Sequence, residues 1–429
     1  MREAGLMETS RVITHCHRKI PDMIAVTGLG CRHAVLLILA SLLGAGRLWS
    51  AGPDWNQWLG GGGRTLVVTQ GFDAVRLPVI SERWRIPLGS GVAGVSVLGT
   101  NATTGVTDGK QDAVVLLDTA TGAERWRVPM GRTKKRGEGT PLGPLSTPAL
   151  DADSTYAQSL DGRLVCVDNS TGKMRWEVNV KREFKAFEPG YGFASSPLLC
   201  DDLVVLVPAG SLLASVAALD RMTGAVRWRA PLGSGTEYAS ATFAVSANPP
   251  QIVVHVGNAM AGLLPGDGRR LWKVDEAGGG MWTASVLSDG KVFFPIATET
   301  QALWLEATGV RKAWGSPVFA GIMGPVVEVG GLLVGHHQRR LTALDGATGE
   351  QVWQLPDETD GQLLALGPWL VFVNDRAGEL SLLSVSRSGV EVRTRRRIME
   401  STRMETPLAF AYGILYIRTT RELIALRVD

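Results

Sequence analysis

The chain has 429 residues, of which 45% are hydrophobic and only 20% are charged, a composition that excludes a disordered protein. Residues 1–51 hold six of the 44 Lys and Arg and three of the 41 Asp and Glu, which leaves 38 of each sign in the remainder. The formal charge of +3 therefore belongs to the start of the chain. No excess of positive charge remains that would indicate nucleic acid as a partner.

An apolar run near the start of the chain predicts export. Residues 33–43 are largely apolar, follow Arg32 and precede small residues up to Ala51. The run is shorter than the roughly 20 residues of a membrane span and has the pattern of a secretory signal. We predict a signal peptide or leader over 1–51, with Met23 as an alternative start, and hence a periplasmic or secreted protein. The alternative is an uncleaved leader that anchors the chain in a membrane.

Residues 52–79 are predicted as an N-terminal lead-in to the main domain. Within this segment, Gly60–Gly63 precedes Arg64-Thr65 rather than the Lys-Ser/Thr pair of a phosphate-binding loop. No predicted strand comes before the glycines either. We therefore interpret them as a flexible segment rather than as a nucleotide site.

From residue 80 onward one pattern recurs: an acidic or small residue, then Thr-Gly, then Trp eight positions after the start. The six intervals between Trp84 and Trp353 average about 45 residues, which is the period of a four-stranded propeller blade. Three copies are complete, two are variants and two are partial, the last of them without its Trp: 118–126, 168–176, 220–228, 306–314, 345–353, 264–272 and 385–393.

Each unit has the composition of four short strands. In one unit, the runs 145–150, 154–159, 164–167 and 174–178 are separated by turns that contain Asp or Gly. The motif fits the turn between the third and fourth strands, because the Asp can accept backbone N–H groups and the Gly supplies a positive φ. The Trp is then expected to pack against the neighbouring blade, with its N–H on a carbonyl.

Counting the turns gives eight blades, of which seven lie within the chain. The eighth is split, because 422–429 has the pattern of a third strand without a fourth, and 81–86 has the pattern of a fourth strand alone. We predict an all-β fold over 80–429: an eight-bladed β-propeller of four-stranded antiparallel blades, closed by pairing the C-terminal strand with the N-terminal one. Closing the ring in this way is how propellers protect their strand edges.

The repeat resembles the PQQ-like (quinoprotein-type) propeller family. The resemblance is carried by the segments 162–168 and 341–353, and Asp54–Trp58 resembles the lead-in of secreted members. Length and blade count are most similar to the BamB lipoproteins of the outer-membrane β-barrel assembly machinery. This resemblance implies a non-enzymatic binding platform or scaffold in the envelope. Those lipoproteins carry a cysteine just after the apolar run, whereas Cys31 lies before it, so the resemblance does not extend to a lipid anchor.

The alternative function is a PQQ-dependent dehydrogenase with a reduced site. Members of that class usually carry adjacent cysteines, a calcium site and a catalytic Asp, but this chain has no Cys-Cys pair. The motif aspartates are better explained as turn formers, so no catalytic, cofactor or metal residue is assigned and PQQ is not supported as a cofactor. A sensor that binds sugar or polymer is a third option. The aspartates in question are Asp118, Asp168, Asp220 and Asp345.

Few other residues suggest chemistry. His336 and His337 are placed in a turn between second and third strands, where a surface loop is a better explanation than a metal site. Cys166 and Cys200 are expected to be buried free thiols, with a disulfide between them as the alternative. The arginines of 393–397 are interpreted as part of an outer fourth strand rather than as a binding site.

The connections between blades offer a candidate binding face. In a propeller they share one face with the turns between second and third strands, here called the loop face, whereas the Thr-Gly turns lie on the opposite Thr-Gly face. Two connections are long, 130–138 and 181–193, and their mix of Arg and aromatic residues is typical of protein-binding surfaces. Ordinary solvated loops are the alternative, and exposed inner strand edges could also add a partner's strand. The candidate contacts to an envelope or secreted protein are Arg132, Lys134, Lys135, Arg136, Lys181, Arg182, Phe184, Phe187, Tyr191 and Trp282.

Overall fold

The computed structural model confirms the propeller. It describes residues 54–61, 66–68, 71–72, 75–136, 140–141, 143–211, 213–233, 238–275, 286–288, 290–296, 298–320, 326–356, 361–400, 404 and 406–429. Within these residues, two strands precede the first complete blade: β1 (Val67–Val68) and β2 (Ile80–Pro87).

Seven blades are continuous in the chain, and each is a meander of four antiparallel strands running from the axis to the rim. Blade 1 comprises β3 (Ser96–Leu98), β4 (Asn101–Thr107), β5 (Gln111–Asp118) and β6 (Glu124–Arg132), and the ribbon β7 (Lys135–Arg136) and β8 (Thr140–Pro141) follows it. Blade 2 comprises β9 (Ala149–Leu150), β10 (Ser154–Gln158), β11 (Arg163–Asp168) and β12 (Met174–Asn179), and the short helix α1 (Val180–Glu183) follows it. Blade 3 comprises β13 (Leu198–Cys200), β14 (Leu203–Leu206), β15 (Val216–Asp220) and β16 (Val226–Ala230).

The remaining continuous blades repeat this order. Blade 4 comprises β17 (Thr242–Ala244), β18 (Gln251–Val256), β19 (Ala259–Leu263) and β20 (Arg270–Asp275). Blade 5 comprises β21 (Val286–Ser288), β22 (Lys291–Pro295), β23 (Thr300–Leu305) and β24 (Val310–Ser316). Blade 6 comprises β25 (Val327–Val329), β26 (Leu332–His337), β27 (Arg340–Asp345) and β28 (Gln351–Leu355). Blade 7 comprises β29 (Gln362–Leu366), β30 (Trp369–Asn374), β31 (Glu379–Ser386) and β32 (Gly389–Arg397).

The eighth blade joins the two ends of the propeller, as predicted. Its inner strands are β33 (Ala409–Ala411), β34 (Ile414–Arg418) and β35 (Glu422–Val428), and β2 is its outer strand. β2 pairs antiparallel with β35, from Ile80 opposite Val428 to Pro87 opposite Glu422. Pairing of distant chain segments within one blade locks the ring.

The tryptophans join neighbouring blades in the way that the motif predicted. Trp126 donates its indole N–H to the carbonyl of Asn169 in the next blade at 2.9 Å, and Trp176 does the same to Arg221 at 3.0 Å. Each ring also covers the glycine of that next motif. At Gly172, where φ is +67°, a Cβ would lie 2.9 Å from Trp126. The motif glycine therefore supplies both the left-handed turn and the space for the indole.

The joint between blades 4 and 5 is different. Trp272 donates to the side-chain oxygen of Gln251 at 2.6 Å, and the amide of Gln251 donates to the Glu306 carbonyl at 2.9 Å. The turn after Glu306 is closed by a bond from its N–H to the Gly309 carbonyl at 2.9 Å, three positions on, whereas the Asp345 N–H reaches the Glu350 carbonyl, five positions on. This turn is therefore two residues shorter than those of blades 1–4 and 6. The glutamine side chain bridges the resulting gap.

The lead-in enters the centre of the ring. Trp55 and Val97 exchange two backbone hydrogen bonds of 2.8 Å, and the side-chain oxygen of Gln57 accepts the Leu199 N–H at 2.7 Å. On the other side, β1 runs parallel to β29. Trp55 is only 2% exposed. The lead-in therefore occupies the axis at the end of the inner strands that leads to the Thr-Gly face.

Two expectations concern this central region. Gly60 and Gly61, the described part of the glycine run that was predicted as a flexible lead-in, are buried. The inner strand edges are not open to a partner throughout, because the lead-in bonds to the inner strands of blades 1, 2, 3 and 7. At these positions the lead-in forms the hydrogen bonds to the strand backbone that a partner's strand would otherwise have to supply.

Candidate partner-binding face

The longest described connection on the loop face, residues 180–193, is held rigidly on blades 2 and 3. At the start of α1, the side-chain oxygen of Asn179 accepts the Arg182 N–H at 2.8 Å. Further on, Ser211 donates its hydroxyl to the Phe184 carbonyl at 2.6 Å. The side chains of Phe184 and Phe193 are both 1% exposed and fill the space beneath the connection. The backbone of this connection, here called the aromatic loop, is therefore fixed by its own core.

Phe184 was wrongly predicted as a partner contact. It belongs to the hydrophobic core beneath the loop, and Arg229 lies over its ring at 5.5 Å. Arg229 is itself paired with Glu183 at 2.5 Å. An aromatic side chain in a loop between blades can anchor the loop as readily as it can meet a partner.

Two other predicted aromatics do face solvent. Phe187 is 70% exposed and Tyr191 is 43% exposed. Phe187 lies against Gly210, where a Cβ would approach its ring to 2.8 Å, and its N–H donates to the Ala209 carbonyl at 3.1 Å. These contacts hold the ring in place without covering it.

Residues of blade 3 extend this aromatic surface. The rings of Tyr191 and Tyr238 lie 5.9 Å apart, and the Tyr191 N–H donates to the Tyr238 hydroxyl at 3.2 Å. Leu213, on the neighbouring turn between β14 and β15, is 54% exposed. We call Phe187, Tyr191, Leu213 and Tyr238 the aromatic patch. Leu213 and Tyr238 were not among the predicted contacts, although both lie on loop-face connections and that placement could have identified them.

The predicted basic contacts are partly neutralised. Lys134 pairs with one carboxylate oxygen of Glu188 at 2.5 Å, and Lys181 pairs with the other at 2.9 Å. The two lysines, Lys134 first, hold the pKa of Glu188 below its ordinary value. These ion pairs tie the connection after blade 1 to the aromatic loop. Arg132 and Arg182 are exposed.

Three of the predicted contacts cannot be placed in the patch. Lys135 and Arg136 form β7, and Trp282 lies outside the described residues. Of the ten predicted residues, the structure brings Lys134 and Lys181 together on Glu188, in the same loop as Phe187 and Tyr191, because the connections after blades 1 and 2 are adjacent on the ring.

The motif aspartates are turn formers, as predicted. The Asp168 carboxylate accepts the N–H groups of Ser170 at 3.0 Å and Thr171 at 2.9 Å, and it pairs with Arg175 at 2.5 Å. Hydrogen bonds from Ser170, then Arg175 and Thr171, hold the pKa of Asp168 far below its ordinary value. Both oxygens of this carboxylate therefore accept hydrogen bonds within its own hairpin.

The remaining chemically suggestive residues are structural. His336 and His337 are the last two residues of β26. The turn itself is formed by Gln338 and Arg339, both with positive φ, so the histidines precede the turn in which they were predicted. Among the described residues no group of three His, Cys, Asp or Glu is arranged to hold a metal ion. Cys166 and Cys200 are buried free thiols, as expected, and burial raises their pKa values to about 11 and about 12.

Comparison with known proteins shows which family has this architecture. The family model described as outer membrane protein assembly factor BamB matches residues 110–355 and 257–409. The crystal structure of BamB from Moraxella catarrhalis has a TM-score of 0.61 and 14% identity, over 81% of this chain and 100% of that one. Quinohemoprotein alcohol dehydrogenase from Comamonas testosteroni has a TM-score of 0.64 and 14% identity, over 88% of this chain and 80% of that one. At such identities the two structures show a shared fold alone.

A protein kinase shares part of the sequence. Serine/threonine-protein kinase AfsK from Streptomyces griseus is 32% identical over 152 residues, which is 34% of this chain. The match spans only 16% of the kinase. Within the described part of this chain, no helix combines the length and apolar character required to cross a membrane.

Proposed function

Because the chain belongs to the family of outer membrane protein assembly factor BamB, we propose that it is a non-enzymatic protein-binding platform of the cell envelope. The leader predicted over residues 1–51 would deliver it to the periplasm or the exterior. The partner would be another envelope or secreted protein, bound on the loop face.

The observation that carries this proposal is the exposure of Phe187 and Tyr191 on an anchored loop. Large aromatic side chains supply much of the binding energy of protein interfaces. A loop that is already ordered loses little conformational entropy when it binds. The buried Phe184 and Phe193 order this loop before any partner arrives. These features favour a preformed binding surface over a set of solvated loops.

The chemistry of the aromatic patch indicates what kind of segment it would bind. Glu188 offsets one of the two positive charges of Lys134 and Lys181, so a net charge of only +1 from these lysines remains to attract an acidic partner. The patch itself offers rings and an aliphatic side chain. We therefore expect it to bind an apolar or aromatic protein segment, with an affinity that changes little with salt concentration.

The alternative activity, quinone-dependent oxidation, is suggested by the fold shared with the dehydrogenase. Against it stand the lead-in on the propeller axis and the absence of adjacent cysteines from the sequence. The test is to add PQQ and Ca²⁺ to the purified protein and to measure reduction of a dye with alcohol substrates. Quinone-dependent reduction would overturn the proposal of a non-enzymatic platform.

The binding proposal is tested by crosslinking in intact envelopes. A photo-crosslinking amino acid at position 182 should capture a defined protein, identified by mass spectrometry. Purified partner and full chain should then bind in solution, and Phe187→Ala with Tyr191→Ala should weaken that binding by about tenfold or more. Met222→Ala is the matched control, because Met222 is 62% exposed but lies on the opposite, Thr-Gly face. Equal binding by the control and the double variant would refute the patch as the contact.

A further inference from the structure

The outer strand of blade 7 differs from the other outer strands in its charge. Arginine occupies four of the last five positions of β32, and every residue from 391 to 397 is exposed. The single acidic residue of the strand, Glu391, forms an ion pair with Arg393 at 2.9 Å. The four arginines are Arg393, Arg395, Arg396 and Arg397.

On other outer strands several basic residues have acidic partners. Arg127 on β6 pairs with Glu124 at 2.7 Å, and Lys312 on β24 pairs with Glu299 at 2.7 Å. On β32, by contrast, Arg397 donates to the Met399 carbonyl at 3.3 Å, and neither it nor Arg396 forms an ion pair with any described residue. Arg85 first, and then Arg396, hold the pKa of Glu82 on β2 below its ordinary value. The positive charge of β32 is therefore only partly balanced within the described part of the molecule.

This charge lies on an open strand edge. β32 pairs with β31 along its length, from Gly389 opposite Ser386 to Arg397 opposite Glu379. It is the last strand of its sheet, and no described strand pairs with its other edge. Alternate residues of this nine-residue strand therefore present backbone hydrogen-bonding groups at the rim.

The strand has also lost a structural role that its counterparts keep. Thr394 occupies the position beside the β-bulge where blades 1 and 2 place the Trp that joins neighbouring blades, and Arg393 takes the bulged position of Arg125 and Arg175. Those two arginines pair with the aspartates of their motif turns, whereas Arg393 pairs with Glu391 on its own strand. The charge of Arg393 is therefore not used to hold a motif turn.

We propose that the outer edge of β32 binds an acidic, extended segment of a partner protein by strand addition. The added strand would gain backbone hydrogen bonds from the edge. Its carboxylates would gain charge-assisted hydrogen bonds from the guanidinium groups. The same arginines repel an identical edge on a second copy of the chain, so the charge selects an acidic strand and disfavours self-association. This rim surface is separate from the aromatic patch and does not depend on it.

The test uses the full chain and a fluorescent peptide of nine residues in which Glu alternates with Val. Fluorescence anisotropy should show saturable binding that weakens as salt is added. Arg396→Glu with Arg397→Glu should weaken binding by about tenfold or more. The matched control is Arg125→Glu with Arg127→Glu on β6, a strand of the same nine-residue length, because it changes the net charge equally. Circular dichroism of both variants establishes that they are folded.

Two further probes decide between strand addition and simple charge attraction. A peptide of equal charge with Pro at its centre cannot complete the backbone ladder and should bind about tenfold more weakly. Equal binding of the two peptides would overturn strand addition. Vesicles containing phosphatidylglycerol should bind no better than phosphatidylcholine vesicles. Binding to the anionic vesicles without binding to the Glu-Val peptide, or equal loss in the β6 control, would also overturn the proposal.

Discussion

The two faces of the propeller are built under different constraints. On the Thr-Gly face, the turns of blades 1, 2, 3 and 6 repeat one geometry, in which an Asp carboxylate caps the turn and a glycine receives the indole of the preceding blade. On the loop face, the connections range from the two-residue turn at Gln338–Arg339 to the aromatic loop. The first face is fixed by contacts that most joints repeat, whereas the second is free to vary and carries the candidate partner contacts.

Removal of a joint tryptophan should have the largest effect. Trp228 is 8% exposed, and its indole donates to the Pro265 carbonyl at 2.8 Å. Trp228→Ala should lower the free energy of unfolding by about 3–5 kcal/mol, as expected for truncation of a buried aromatic. Urea denaturation followed by tryptophan fluorescence measures the change. Phe187→Ala on the loop face is the comparison, and equal losses in the two variants would contradict the difference between the faces.

A motif glycine should come next in effect. At Gly224 φ is +71°, and a Cβ would lie 2.7 Å from the Trp176 ring. Gly224→Ala should cost about 2–3 kcal/mol, because an alanine there is strained and displaces the indole. Gly266→Ala, in the corresponding turn of blade 4, is the control, since no atom lies within 4 Å of its Cβ position and its φ is not positive. Thermal denaturation of both variants should separate them by several degrees.

A buried carboxyl on the loop face should destabilise the fold when it is ionised. Asp112 is fully buried at the start of β5, and burial raises its pKa to about 6 from an ordinary value of 3.8. The folded state therefore binds a proton more tightly than the unfolded state, so stability should fall as the pH rises from about 4 to about 6 and then stay level. Asp112→Asn should remove this pH dependence and raise the free energy of unfolding at pH 7 by about 1–3 kcal/mol.

Urea titrations at pH 4, 5, 6 and 7 measure this effect, with Asp108→Asn as the control in the adjacent turn. The Asp108 carboxylate accepts the Lys110 and Gln111 N–H groups, both at 2.8 Å, and these bonds lower its pKa. Its replacement should not stabilise the protein at pH 7. If Asp112→Asn destabilised the fold at every pH, the Asp112 carboxyl group would be required by the structure. The loop face would then be as constrained as the Thr-Gly face.

The smallest effect is expected for the ion pairs between the loops. Glu188→Gln removes both the Lys134 and Lys181 pairs, but exposed ion pairs of this kind are worth only about 0.2–1 kcal/mol each. Tm should hardly change. The susceptibility of the aromatic loop to limited proteolysis is the sharper measurement. Unchanged cleavage would show that the buried Phe184 and Phe193 alone hold the loop.

Much of the fold could be predicted because its joints are local and repeated. The Asp–Gly spacing specifies the turn, and the following Trp reaches the next turn, as Trp126 does at Asn169. The joint at Trp272 could not be predicted, because it depends on a tighter turn after Glu306 and on a glutamine 21 positions before Trp272 that fills the gap. Length differences within a repeat have consequences that only packing reveals.

The candidate site was less predictable. Phe184 and Phe187 are three residues apart in one loop, yet the first is 1% exposed and the second 70%. The loop has no periodicity that would assign one ring to the core and the other to solvent. Composition alone therefore singled out this connection but not the residues of it that face outward.

By itself the sequence determined the number of blades, the split eighth blade and the conformation of the motif turns, since these depend on residues a few positions apart and on their repetition. Tertiary structure decided which aromatics remain exposed and what fills the axis. The bond between the Gln57 side chain and Leu199 spans 142 positions, and Trp55 is buried only because the closed ring surrounds it. Contacts of that kind arise from assembly of the whole ring, and no local pattern encodes them.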